Sequence, residues 1–380
     1  MKLLPVFDTN ISLYFFCFFL FVALIQFLYL ILIFLRFALF KPKKNKKESH
    51  HLKPITILIA SRNESDNLAH FLPLILEQNY PEFEVIVINN QSVDDSYYVL
   101  NKLKERYSNL KVVELERSRH LGVGKKLPIT MGVKAAKYDQ IVVTDADCSP
   151  ASANWLQYIG NAFARGEDIV LGFGPLESKK TMLNKLIRFD VIFIAMNYFS
   201  FALSKLPYMG VGRNLAYTKK AFNSVHGFKS HYAIASGDDD LFVQEAAVKN
   251  GCGIMIHKDS FCYSNPKKTW REWVGQKHRH YTTASNYNVI KKLLLGIYPA
   301  TLIFMWFSFV YLMFDVDYRW LTLAIFLFVI SNKWIIQGKC LLKLKGKSFI
   351  IFLPVWDLFY ALLMPFIYYT TDKRNVTRWK

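Results

Sequence analysis

Residues 11–40, ISLYFFCFFLFVALIQFLYLILIFLRFALF, contain one charge, Arg36, near the far end of the run. A helix needs roughly 20 apolar residues to cross a bilayer, and this run exceeds that. A cleaved leader would carry an apolar core of about 7–15 residues and a small-residue cleavage site. Here the run is longer and closes on Lys41, Lys43, Lys44, Lys46 and Lys47, so it is expected to stay as an anchor. Short flanks rich in Lys and Arg remain cytoplasmic. The amino terminus is therefore expected outside, with the chain beyond about residue 41 in the cytoplasm.

Three further apolar segments lie at 293–314, 319–337 and 348–371, and Lys333, Lys339, Lys343, Lys345 and Lys347 are read as lying between the last two, again a cytoplasmic signature. Simple alternation would leave the basic tail (Lys373, Arg374, Arg378, Lys380) outside, against the charge rule. Pro354, Asp357 and Pro365 interrupt the last segment, which leaves a re-entrant path open. A composition that is 52% hydrophobic with a formal charge of +19 fits such segregation of apolar and basic stretches. The lysines cluster beside apolar segments rather than on a soluble face, which argues against nucleic acid as a partner. Five scattered cysteines without a CxxC pair suggest neither a disulfide framework nor a zinc site.

Between these segments the pattern changes. Short β-branched runs at 55–60, 84–89, 111–115, 140–144 and 168–173 alternate with helical patterns at 64–77, 94–107, 126–137 and 151–164. That alternation predicts an α/β domain over 54–285 with a parallel sheet covered on both faces. Ligands of such sheets sit beyond the carboxyl ends of the strands. The residues there are Ser61 to Glu64, Asn89 to Ser92, and Asp145-Ala146-Asp147.

Asp145 and Asp147, two apart at a strand end, can both reach one divalent ion, and hard oxygen ligands suit Mg2+ or Mn2+. Gly237-Asp238-Asp239-Asp240 masses three acids whose mutual repulsion raises their pKa values and suits a general base. A helix amino terminus accounts for the same acids, and both readings can hold together. Gln276-Lys277-His278-Arg279-His280-Tyr281, behind Trp270 and Trp273, reads either as an interfacial anchor or, through Arg279, as a diphosphate grip. Gly122-Val123-Gly124-Lys125-Lys126 lacks P-loop spacing.

Taken in order, these motifs resemble the family 2 inverting glycosyltransferases of GT-A fold, in their membrane-integrated branch. ITILIASRNESDNL looks like the family's first strand and Asn-Glu turn, and Gly124 to Val133 is similar to its GK-x-x-AL-x-x-G-I segment, with Pro128 and Ile129 in place of Ala-Leu. TDAD at 144–147 resembles its DxD motif, and Gly212-Arg213-Asn214-Leu215-Ala216-Tyr217 its G-x-N-x-A-Y segment. GDD at 237–239 resembles the catalytic-base motif, and Gln276-x-x-Arg279-His280 the Q-x-x-R-W motif. Asn89-Asn90 replaces the family's strand-end Asp pair, and His280 replaces the closing Trp.

The resemblance implies transfer of a sugar from a nucleotide-sugar, a UDP-sugar being favoured, to a lipid-linked or glycan acceptor at a bacterial inner membrane. It implies metal binding by Asp147 and Asp145, with donor contacts from Arg62, Glu64, Asn89, Lys125, Asp145, Gln276 and Arg279. Asp239 is the implied base, with Asp238 as the alternative. A processive polysaccharide synthase and a non-catalytic degenerate homologue are the competing readings. The expected layout is an anchor at 11–40, a catalytic domain at 54–285 with a membrane-surface helix near 182–206, and two or three membrane helices within 293–371.

Overall fold

A computed structural model describes residues 9–42, 52–116, 124–234 and 236–370. Lys43 to Lys47, Gly122, Val123 and the basic tail from Lys373 lie outside the described residues. Two compact units emerge, one from residues of Lys41–Tyr287 and one from residues of Met1–Phe40 and Asn288–Thr370.

The first unit is built on nine strands: β1 (Ile55–Ser61), β2 (Phe83–Asn90), β3 (Leu110–Leu115), β4 (Gln140–Asp145), β5 (Cys148–Pro150), β6 (Ile169–Leu171), β7 (Leu215–Thr218), β8 (Cys252–Ile254) and β9 (Cys262–Ser264). Seven of them form one sheet in the order β3-β2-β1-β4-β7-β6-β8. The first four run parallel, and every residue of β1 is buried, as a strand covered on both faces must be. The expected parallel sheet ends at β4. There β7 enters antiparallel to both β4 and β6, on a four-residue run (LAYT) too short to show a strand period. The remaining strands, β5 and β9, pair separately and place Cys148 opposite Ser264.

The parallel strands alternate with helices Ser65–Leu76, Ser96–Arg106, Lys126–Ala135 and Trp155–Ala164. The last begins later than 151, after the β5 turn. Trp155 is fully buried, and its indole N–H donates to Asn214 Oδ1 at 3.1 Å. Asn214 also donates to the carbonyls of Phe173 and Ser260, both at 2.9 Å, and so ties three loops together. Its side chain occupies the space a Cβ on Gly172 would need, 2.4 Å from its Cγ, so residue 172 has to be glycine.

Helix Met182–Leu203 departs from the expected membrane-surface role. It is long and apolar enough to cross a membrane, yet most of its side chains from Leu183 to Ala202 are buried. The Tyr198 hydroxyl donates to the Gly172 carbonyl at 2.8 Å, and Asp190 forms a buried ion pair with Lys277. Its apolar surface is therefore used as domain core.

The second unit contains helices Thr9–Tyr29 and Leu35–Leu39, joined by a π-helical turn at Leu30–Phe34, with Val289–Leu312, Arg319–Lys343 and Leu353–Tyr369. The stretches Ile11–Leu39, Val289–Leu312 and Arg319–Lys343 are long and apolar enough to cross a membrane, whereas Leu353–Tyr369 is shorter. Helix Arg319–Lys343 runs past the segment end expected at 337, which corrects the lysine argument. Lys333 is not a loop lysine: it is 2% exposed and pairs with Asp357. The Lys343 ammonium is tied to the Phe40 carbonyl, which leaves Lys345 and Lys347 in the connection.

Candidate active site

The carboxyl ends of β1, β2 and β4 lie side by side, because the register pairs Ser61 with Asn89 and Ala60 with Asp145. Strand order thus gathers segments 28 to 85 residues apart at the carboxyl end of the sheet.

At the end of β4, ligand atoms of Asp145, Asp147 and Cys148 lie within 4.8 Å of one another. Lys125 Nζ, at the start of helix Lys126–Ala135, donates to Asp145 Oδ1 at 2.5 Å. Burial alone would raise the Asp145 pKa, but Lys125, then Arg213 and Arg279, hold it below the usual carboxylate range. Asp147 moves the other way, pushed up by burial and by the Asp145 charge. Burial also pushes the Cys148 thiol well up, so it stays protonated and points a weak donor at Asp147 Oδ1 (3.6 Å). The available ligands are then carboxylate oxygens, which fit Mg2+ or Mn2+ and would relieve the repulsion felt by Asp147. Lys125 itself is driven above its ordinary value: burial opposes the charge, and Asp145 with Asp238 outweighs it.

The 3-10 turn Gly212–Asn214 sits where β7 begins. Gly212 N–H donates to Asp239 Oδ2 at 3.0 Å, and Asp240 N–H to Asp239 Oδ1 at 2.8 Å. Asp239 is thus the cap of helix Asp240–Ala246, with both carboxylate oxygens engaged. Desolvation and its neighbours Asp238 and Asp240 push its pKa up to about 8. Among the described residues the Asp238 carboxylate accepts no hydrogen bond, while its charge acts on Lys125 and Lys126. Asp240 is buried and accepts from the Thr283 hydroxyl and from Tyr287 OH, the latter at 2.7 Å.

Those last bonds fasten helix Trp270–Ala284, whose start carries a capping box between Thr269 and Glu272. Trp273, Lys277 and Thr283 are buried on one face, whereas Trp270 is exposed. The aromatic-basic stretch is therefore a docked helix of the domain, held through Trp273, Lys277 and Thr283. Gln276 and Arg279 are three apart on this helix and so share a face, and the Arg279 charge reaches Asp145.

At the ends of β1 and β2 the loops are zipped together. Asn63 adopts φ 52°, its N–H donates to Ser92 Oγ (2.9 Å), and its Oδ1 accepts from Val93 N–H (2.8 Å). Ser65 N–H donates to Asp94 Oδ2 at 2.9 Å. Glu64 has its pKa raised by burial and, in part, by the charges of Asp147 and Asp145, so it belongs to the same acidic recess. The Arg62 Nε is buried and has no partner among the described residues. Asn89 Nδ2 donates to Glu114 (2.8 Å) and its Oδ1 accepts from Ser92 (2.5 Å). Both ends of that amide are used internally, while the buried Asn90 Oδ1 has no partner among the described residues.

Sequence reasoning missed Arg213 and Lys126. Arg213 bonds Ser264 Oγ at 2.8 Å and its charge bears on both Asp145 and Asp147. The signal for it was a cation inside the G-x-N segment; for Lys126 it was the doubled lysine.

Residues 53–283 match the profile of a family described as "Glycosyltransferase like family 2". A Bacillus subtilis protein named "Probable glycosyltransferase YdaM" is 25% identical over 262 residues, 67% of this chain and 59% of that protein. The poly-beta-1,6-N-acetyl-D-glucosamine synthase of Staphylococcus epidermidis is 33% identical over 102 residues, 27% of this chain and 24% of the synthase. The chain thus spans less than two thirds of the length of either relative. Among solved structures, the mannosyltransferase PcManGT of Pyrobaculum calidifontis, in complex with GDP-Man and Mn2+, superposes with a TM-score of 0.57 at 15% identity. That match covers 93% of this chain and 98% of the other, and it shows a shared fold.

Proposed function

The chain belongs to glycosyltransferase family 2, and from that premise we propose that it moves a sugar from a nucleotide-sugar to a lipid-linked or membrane-associated acceptor, with inversion. The observation that carries this reading is the meeting of Asp145, Asp147, Lys125, Arg213 and Arg279 at one sheet edge, with a free acid, Asp238, acting on the same lysine. A divalent ion held by Asp147 and Asp145 would neutralise charge on the departing diphosphate.

The chain's own groups do the rest. Lys125, Arg213 and Arg279 present cations to the diphosphate, and Arg62 offers a buried, unsatisfied donor at the nucleotide end of the sheet. Asn90 takes the nucleoside contact, since the Asn89 amide is already occupied. Gln276 faces the donor beside Arg279. Asp238 accepts the acceptor hydroxyl proton as that oxygen attacks the anomeric carbon and the nucleoside diphosphate leaves with the bonding pair. Its carboxylate is the unengaged one of the acid cluster, whereas Asp239 already accepts two backbone N–H bonds. Asp239, the base implied by the family resemblance, is thereby left to shape the cluster.

An N-acetylhexosaminyl donor is favoured by the likeness to an N-acetylglucosamine polymer synthase, a UDP-sugar is what the family resemblance implies, and Mn2+ or Mg2+ suits the oxygen ligand set. Location in a bacterial inner membrane, with the catalytic unit cytoplasmic, is supported by the apolar helices and by the lysines that follow residue 40. A processive synthase is the second reading, favoured by the same relative.

The test uses the full chain in detergent with a panel of UDP- and GDP-sugars and Mn2+, following nucleoside diphosphate release and product length. Asp147→Asn and Asp238→Asn should each lower transfer by at least about 10²-fold. Only Asp147→Asn should also weaken Mn2+-dependent UDP binding. No release from any donor, or full activity of Asp147→Asn, overturns the reading; loss in Asp239→Asn with an active Asp238→Asn moves the base by one residue.

A further inference from the structure

Two adjacent lysines at the start of helix Lys126–Ala135 serve different partners. Lys125 engages Asp145. Lys126 is 4% exposed and its ammonium donates to the carbonyls of His231 and Ile234, the second at 2.9 Å. Those carbonyls lie in the turn that leads to Gly237, whose φ of 104° suits only glycine, and then to Asp238 and Asp239. A Cβ at Gly237 would also stand 2.8 Å from Leu241 Cδ1, so the path of the chain into the acids is fixed at that point.

A buried ammonium is expensive unless a charge compensates it. Among the described residues, no carboxylate lies within salt-bridge distance of Lys126. Its compensation is longer-ranged: Asp238, Asp240, Glu245 and Asp239 all favour its charged form, against burial, which brings its pKa down to about 8. The groups facing it are therefore these four acids and His231, with Lys125 beside it on its own helix.

We propose that Lys126 is a positioning residue for the general base: it holds the turn that delivers Asp238 and sets a cation beside the acid cluster. The proposal rests on the transferase reading and deepens it. A filler of the same volume would satisfy packing, but not the two carbonyls and the four acids together. By the ordinary effect of a nearby cation, removing the charge raises the pKa of the acids and moves the acidic limb of the rate profile to higher pH.

The experiment measures pH profiles of kcat and KM for the full-length protein with a UDP-sugar and Mn2+, alongside calorimetric binding of UDP with Mn2+. Lys126→Met should lower kcat roughly tenfold or more, shift the acidic limb upward, and leave UDP binding and the donor KM near wild type. Lys126→Arg should keep the wild-type limb. If the methionine variant no longer binds UDP, Lys126→Gln, which retains a donor without the charge, decides by the same limb shift. An unmoved limb in the charge-free variants, or an unchanged kcat, overturns the proposal. A wild-type protein that binds UDP and Mn2+ but turns over no donor sinks the transferase reading instead, and this inference with it.

Discussion

Each unit of the molecule holds an almost fully buried Lys–Asp pair, and the two pairs serve different ends. In the catalytic unit, Lys277 of helix Trp270–Ala284 meets Asp190 of helix Met182–Leu203, with both side chains almost fully buried. In the helical unit, Lys333 of helix Arg319–Lys343 meets Asp357 of helix Leu353–Tyr369 inside a wider polar cluster. Tyr298 OH donates to Asp357 Oδ2 (2.7 Å), Gln337 donates to Tyr298 OH (2.6 Å), and Lys333 reaches Gln26 Oε1 (3.4 Å). Gln26 in turn donates to the Tyr298 carbonyl and to Thr301 Oγ1. Four helices are joined this way. Where no water can reach, polar groups must be satisfied by one another. The catalytic pair fastens the helix that carries Gln276 and Arg279 to helix Met182–Leu203. The helical cluster ties a bundle together, and the catalytic pair places the helix to which the proposed function gives donor contacts.

That contrast is broken most directly at Lys333. Lys333→Met leaves Asp357 buried without its cation and should cost about 3–5 kcal/mol of stability. Lys333→Met combined with Asp357→Leu should recover most of the loss, since apolar replacement of a buried pair is often neutral. Thermal unfolding in detergent reads both. Equal stability of the single and double variants would mean that the cluster holds the helices without the charge pair.

The matching change in the catalytic unit is Lys277→Met. It should cost about 3 kcal/mol, at the low end of that range, and unlike Lys333→Met it should also weaken UDP–Mn2+ binding, because the helix bearing Arg279 loses a buried anchor. Calorimetric UDP binding in both variants makes the comparison. If Lys277→Met binds UDP normally, Asp240 with Thr283 and Tyr287 suffices to hold the helix.

The sequence showed the catalytic unit more fully than the helical one, for physical reasons. Strand runs such as ITILIA carry a local signal, and the acids that end them sit at a place the architecture dictates. The partner that engages Asn89, Glu114, lies on a strand that nothing local connects to it. Lys126 and Arg213 escaped notice because their partners lie about 105 and 51 residues away. Lys333 looked like a loop lysine because composition cannot reveal Asp357, two helices' packing away. Helix Met182–Leu203 looked lipid-facing because an apolar segment reads alike whether lipid or protein covers it.

A milder test of the helical cluster is Tyr298→Phe. It removes the hydroxyl that links Asp357 and Gln337 while keeping the ring over which Lys333 sits, 4.8 Å from its centroid. Polar contacts between helices in a bilayer average about 0.6 kcal/mol and reach about 1.7. A loss within that range is expected in detergent unfolding, well below that of Lys333→Met. A loss equal to that of Lys333→Met would make the tyrosine, and not the ion pair, the centre of the cluster.

The smallest expected effect separates the units by pH. Asp239 in the folded catalytic unit holds its proton up to about pH 8, whereas an exposed aspartate releases it near 3.8. Between those values the folded protein binds more protons than the unfolded chain, so this group's contribution makes stability fall as pH rises. Asp239→Asn removes the titration and should flatten that slope, most visibly from mildly acidic to mildly alkaline pH in the absence of metal and nucleotide. Hydrogen exchange localises the effect. Uptake over 236–246 should increase with pH, beyond the intrinsic exchange rate, in the wild-type protein and not in Asp239→Asn. Uptake across Val289–Leu312 should show the same pH trend in both proteins. If the slope survives in Asp239→Asn, the proton that couples stability to pH sits elsewhere in the cluster, and Asp240→Asn becomes the variant that locates it.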